Sequence, residues 1–469
     1  MAMKRLAVIL GVCLATPLLA QPAPVKLTTP QAHQRELAIL GIKQLRAPRN
    51  ATQPSHPAYA NYDEDVATRL STPLADPLTN ADGSKITTRA GWLKRRAELM
   101  ALFERDILGR RPARLPRVSW SVTETVRETV EGVAVISKKV TGHVDNSAYP
   151  AGNVDIALRV TTPASSEGKT VPAVIVMGSL APPQAGRGAG RGPVPGRGSQ
   201  QVGTYPDYRA QILSRGWGYV IFDPARVQAD NGAGFTRGII GLVNKGRPRS
   251  INDWGSLSAW GWGISRAIDY LEGDPAVDAR KLGLYGHSRY GKAAVVTMMY
   301  EPRIAVGYIS SSGKGGAAPY RRVYGSTVEN MSTVSEFQWQ NGRFMTYAAD
   351  PLSAKDLPVD SNHALALIAP RALFVSTGKY MPDPSVAPGD GWVDGKGSFE
   401  AMVSADPVYK LMGRKGLAST AYPGLMTLVD GDGLAFRQHD EGHVAAPNWS
   451  FFLDFAAREF TLPARTAAR

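Results

Sequence analysis

Cysteine is all but missing from this sequence: one residue, Cys13, among 469. It sits in an apolar run, residues 6–19, which follows Lys4 and Arg5 and ends at Leu18-Leu19-Ala20 before Gln21. That is the layout of a secretory signal peptide, expected over residues 1–20. Cleavage after Ala20 leaves a chain without a thiol, which excludes disulfides and a cysteine nucleophile. Val12 is too bulky for a lipoprotein cleavage box, so no lipid anchor is expected. No second apolar run reaches the ~18–20 residues that span a bilayer, so no membrane anchor is expected. The destination is the periplasm or the outside of the cell. Metal-site spacing is missing too. His439-Asp440-Glu441-Gly442-His443 fits neither H-E-x-x-H nor its inverse, because Asp440 and Gly442 stand where the glutamate belongs. No metal and no cofactor are expected.

Acidic residues are the minority, 40 against 54 Lys and Arg, for a net charge of +14, or +12 without Lys4 and Arg5. The excess is spread along the chain, and no helix-turn-helix or finger spacing accompanies it, so nucleic acid is not an expected partner. An acidic polysaccharide suits an exported basic protein better. With 43% hydrophobic residues and 9 tryptophans, the chain has enough apolar mass for a large packed interior.

Residues 21–90 are rich in proline, threonine and aspartate, with weak periodicity, and read as an extended strap before a catalytic domain over 91–465. From 91 to 109 Trp92, Leu99, Leu102, Phe103 and Ile107 share one face, which predicts a helix. Alternating stretches near 117–126, 132–143 and 152–162 predict antiparallel strands. Short apolar runs follow at 171–177, 218–222, 282–285, 304–309 and 373–377, with helical segments such as 254–271 between them, as buried parallel strands in βαβ units require. An eight-strand α/β-hydrolase layout accommodates this order: a three-layer α/β/α sandwich around a mostly parallel sheet. Residues 185–200 break the pattern. This Arg/Gly-rich segment, with Arg187, Arg191 and Arg197, is too low in complexity for a core and reads as a flexible insertion.

The most informative stretch is 282–296. An apolar run ends at Tyr285, a Gly286-His287-Ser288 turn follows, and a small-residue helix opens near Gly291. This is the layout of a nucleophile elbow, which lifts a serine hydroxyl above a parallel sheet. As a plain helix start, the turn would be oddly chosen, since Arg289 and Lys292 oppose the helix dipole in the first turn. A serine nucleophile needs a histidine base held by an acid, in the chain order Ser, Asp or Glu, His. His439 and His443 follow the last core strand, near 434–437. His443 leads into the helix expected over 448–460 and is the stronger candidate, with His439 expected at the surface. The acid belongs after the 373–377 strand, where Asp383, Asp390 and Asp394 are all available and spacing does not choose.

Gly286-His287-Ser288-Arg289-Tyr290-Gly291-Lys292 resembles the G-C-S-R-x-G-K signature of the glucuronoyl esterases, carbohydrate esterase family fifteen, with His287 in place of the cysteine. The segment 257–266 resembles the helix before the family's nucleophile strand. Ser312 to Gly316 with Arg321 and Arg322, and Leu357 to Arg371, are similarly placed. Trp92, Arg95, Arg96, Phe103, Glu104, Gly109 and Arg110 resemble its first helix. The likeness runs from about Trp92 to Phe455.

The resemblance implies Ser288 as nucleophile, His443 as base, and Arg289 in the oxyanion hole through its backbone N–H and guanidinium. It implies that Lys292 and Glu336 contact the sugar, that Glu329 assists, and that Trp392 stacks on it. Fungal members hold an acidic residue where this chain has Ser311, so the acid comes from the later loop, and alignment on Trp392 and Asp394 favours Asp390. Lys314 adds positive charge near the pocket. The implied reaction is hydrolysis of (4-O-methyl-)glucuronate esters through an acyl-enzyme, with glucuronoxylan or a lignin–carbohydrate ester as substrate and a monomer as the working form. A secreted acetylesterase and a non-catalytic glycan-binding protein are the rival readings.

Overall fold

Val171–Met177 holds seven residues, Val-Pro-Ala-Val-Ile-Val-Met, and six of them are buried. Its side chains serve two separate apolar clusters. Ala173, Ile175 and Met177 join one, while Val174 and Val176 join the other. A strand apolar on both faces needs a helical layer on each side, and the chain is built accordingly. The computed structural model describes residues 23–180, 205–381 and 389–462.

Among the described residues ten strands form one sheet: β1 (Val118–Val130), β2 (Val133–Val144), β3 (Asp155–Pro163), β4 (Val171–Met177), β5 (Gly218–Phe222), β6 (Val277–His287), β7 (Val306–Ser310), β8 (Ala372–Thr377), β9 (Leu428–Asp430) and β10 (Leu434–Gln438). Their spatial order is β1-β2-β3-β5-β4-β6-β7-β8-β10-β9. From β5 to β10 every neighbouring pair is parallel. β1, β2 and β3 pair antiparallel, as does β3 with β5. β1, β2 and β3 answer to the antiparallel strands expected near 117–126, 132–143 and 152–162, and the three-residue edge strand β9 is an addition to the expected set. Glu131 and Gly132 join the β1–β2 hairpin, both with positive φ, the backbone of the tight turn whose twist matches paired strands.

One helical layer includes Ser256–Leu271 and Arg289–Tyr300, the other Tyr208–Leu213 and Trp449–Thr461. The first predicted helix runs over Arg89–Phe103 and passes into a π-helical turn, Glu104–Leu108. The N-terminal segment departs from the extended strap expected of it. Thr28 and Gln31 form a reciprocal capping box that starts a helix, Thr29–Leu40, and Asp63 caps a second, Glu64–Leu70. Capping supplies the orphan N–H groups with partners, a local signal that weak apolar periodicity concealed. The Arg/Gly insertion at 185–200 lies outside the described residues.

Candidate active site

The elbow forms where β6 ends. Ser288 takes φ 58° and ψ −127°, a backbone that a side chain rarely adopts, which costs about 1–3 kcal/mol and persists only where its surroundings enforce it. Here its N–H donates to the Ser310 carbonyl at 2.9 Å, fixing the turn to the end of β7. The two glycines are steric necessities. A Cβ on Gly286 would lie 2.1 Å from the Tyr290 carbonyl oxygen, and one on Gly291 would lie 2.9 Å from that of Ser310.

Asp390 is the acid candidate that meets His443. Its Oδ1 lies 2.6 Å from His443 Nδ1, and its Oδ2 accepts from the Ser311 hydroxyl at 2.6 Å and the Gly378 N–H at 2.5 Å. Burial alone would raise this carboxyl, but the charge and hydrogen bond of His443, with the two further donors, hold it below its ordinary value. Asp394 has another task. It caps helix Gly395–Leu411 through the Gly397 N–H and pairs with Arg322 at 2.5 Å. Asp383 lies outside the described residues.

His443 and Asp390 come from loops that are sewn together. The Lys379 N–H donates to the Glu441 carbonyl, the His439 N–H to the Thr377 carbonyl, and the Asp390 N–H to the Lys379 carbonyl. His439 is therefore not the surface residue expected. It is 0% exposed, with one ring nitrogen against the Val444 carbonyl and the other accepting from the Glu441 N–H, so it braces the loop that carries His443. His287 also faces His443, with ring centroids 4.5 Å apart and its Nδ1 3.1 Å from the Ser310 hydroxyl. Burial first, and the charge of His443 second, push its pKa down to about 3, so its ring stays neutral.

Arg289 points its Nε at Asp230, 2.7 Å from Oδ2. Lys292 donates to the carbonyls of Ser312 and Lys314, each at 2.6 Å, and its ammonium lies 5.6 Å from the centre of the Trp339 ring. Glu336 is half-buried and opens the turn Phe337–Trp339. Trp392 is half-buried in the turn Gly391–Val393, directly after Asp390. Glu329 is engaged by Arg46 of the N-terminal segment at 2.9 Å, a partner nothing in the sequence announced. Lys314 is buried, its ammonium donates to the Tyr324 carbonyl, and burial pushes its pKa down to about 8.

Asp230 received no role from the sequence, and Ser311 was named there only as the position where fungal members hold an acidic residue. Asp230 follows β5, at the carboxyl end of a parallel strand, where sites in such sheets gather. That was the one available signal. Among the described residues no group of three or more histidine, cysteine or carboxylate side chains is arranged to hold a metal ion, and no helix is long and apolar enough to cross a membrane.

A model of the family described as "Glucuronyl esterase, fungi" matches residues 212–413. The chain is 34% identical to a glucuronoyl esterase of Teredinibacter turnerae T7901, over 92% of this chain and 100% of that one, with a TM-score of 0.81. It belongs to the glucuronoyl esterases of carbohydrate esterase family 15. A glucuronoyl esterase from Solibacter usitatus is 30% identical over 83% of this chain and 98% of its own, at a TM-score of 0.69. A 4-O-methyl-glucuronoyl methylesterase of Podospora anserina is 27% identical over 352 residues, 70% of this chain and 61% of that one. This glucuronoyl esterase is accordingly an α/β-hydrolase and a carboxylic ester hydrolase.

Proposed function

We propose that the protein hydrolyses esters of glucuronic or 4-O-methylglucuronic acid, cutting the bond between glucuronoxylan and lignin alcohols after export through its N-terminal signal. The observation that carries the mechanism is the 2.6 Å contact between Asp390 and His443, on loops beside the Ser288 elbow. Asp390 fixes one ring nitrogen as an N–H donor, which leaves the other to take the proton from the Ser288 hydroxyl. The serine oxygen attacks the ester carbonyl, and negative charge develops on its oxygen. Arg289 stabilises that oxyanion through its backbone N–H and guanidinium, a contribution worth several kcal/mol when water is excluded. His443 returns the proton to the leaving alcohol, and water then releases the uronate from Ser288 by the same path. Lys292 and Glu336 hold the sugar, and Trp392 offers an indole face to the pyranose. Glu329 assists from its ion pair with Arg46.

The test is hydrolysis of benzyl glucuronate alongside p-nitrophenyl acetate, with Ser288→Ala as control. Selective turnover of the glucuronate, lost in the variant, is the expected outcome. Turnover of acetate alone would make the protein a general esterase, and turnover of neither would make it a glycan binder.

A further inference from the structure

Three side chains from two distant segments converge on Asp230. Arg289 Nε lies 2.7 Å from its Oδ2. Its Oδ1 accepts from the Trp339 indole at 2.7 Å and from Gln338 Nε2 at 3.1 Å. Neither member of the ion pair is sealed away: the Arg289 side chain is 15% exposed and that of Asp230 24%, so the pair lines an open wall. Asp230 itself is held from both sides. Buried Gln228, two residues earlier, donates to the Gly234 carbonyl, accepts from the Ile240 N–H, and takes the Trp260 indole on its own carbonyl. Asn231, the next residue, accepts from the Gly234 N–H at 3.0 Å.

An arginine side chain is long and samples many rotamers when nothing holds it. A guanidinium that must meet an oxyanion accelerates the reaction most when it is already in place, because no reorganisation is then needed as the charge develops. A neutral acceptor would orient it weakly. A carboxylate with one oxygen on Arg289 and the other on Trp339 fixes two elements in register at once, the elbow helix and the turn Phe337–Trp339. The Lys292 ammonium lies 5.6 Å from that same indole ring, so the register extends to the residue assigned to the sugar.

We infer that Asp230 is a positioning residue, which holds the Arg289 guanidinium ready for the oxyanion and sets it in register with the Trp339–Lys292 wall. This rests on the oxyanion role proposed for Arg289. The test is a double-mutant cycle on benzyl glucuronate with Asp230→Asn, Arg289→Ala and the double variant, reading kcat and KM separately. Asp230→Asn is expected to lower kcat about 10- to 100-fold with KM within about twofold, since an interaction made only in the transition state is lost. In the Arg289→Ala background the same change should cost less than about twofold, because the effect flows through Arg289. Asp230→Glu, which keeps the charge, should retain more activity than Asp230→Asn. A parental kcat for Asp230→Asn, or losses that simply multiply in the double variant, would overturn the inference. A parental kcat for Arg289→Ala would instead remove the oxyanion role itself. Should Asp230→Asn fail to fold, Asp230→Glu takes its place in the cycle, and its deficit must vanish when Arg289 is gone.

Discussion

Asp390 shows how much chemistry can rest on the address of one carboxylate. Three loop aspartates look alike in sequence, yet the two that lie among the described residues have different surroundings. Asp394 receives the first turn of a helix and Arg322, while Asp390 receives Ser311, Gly378 and His443. The Ser311 hydroxyl, directly after β7, donates to Asp390 on the loop after β8. An amide at 390 would not stabilise the imidazolium and would favour the wrong tautomer. Asp390→Asn should therefore lower kcat by about 10³- to 10⁴-fold with little change in KM, as steady-state kinetics on a glucuronate ester will show. His439 and His443, four residues apart, illustrate the same point. One is locked into the backbone on both nitrogens; the other meets a carboxylate.

At the scale of elements, the N-terminal helix Thr29–Leu40 is tied to the core more firmly than its composition suggests. Glu36, 1% exposed, pairs with Arg249, 0% exposed, through both guanidinium ends at 2.8 and 3.0 Å. Arg249 also donates to the Gln340 carbonyl at 2.6 Å, one residue past Trp339. The helix thus buttresses the segment that carries the site wall. Glu36→Ala strands a buried guanidinium and should cost about 3–5 kcal/mol of stability, read as a lowered urea midpoint at unchanged slope. The sequence did not disclose this element because its anchor lies more than two hundred residues away. β6 and the elbow helix were legible because they depend on neighbours: an apolar run, two glycines and small residues.

At the scale of the whole molecule, stability should follow acid pH through two histidines. His287 and His363 each have their pKa pushed down to about 3, burial being the main cause and electrostatic opposition from neighbouring His443 and Arg321, respectively, the second. In the unfolded chain both titrate near 6.5. Between those values the unfolded state binds more protons than the folded one, so stability falls as pH falls. Their contribution is complete above about 6.5 and is lost progressively towards 3. Urea midpoints measured from about pH 7 to 4 should decline, and the decline should be shallower in His363→Asn. A flat profile would mean that these rings are protonated in the folded protein.

Local pattern alone determined the parallel strands, the elbow at Ser288 and the candidacy of His443, because periodicity, steric turns and chain order are properties of neighbouring residues. The signature around Ser288, with several ordered motifs, also determined the family. Only the tertiary structure decided which aspartate meets His443, that His439 braces a loop rather than facing solvent, and that Asp230 receives Arg289. Each of these is a contact across a loop or between strands distant in sequence. Such contacts are selected by the sheet order β4-β6-β7-β8-β10 and the packing of its loops, which no single segment encodes.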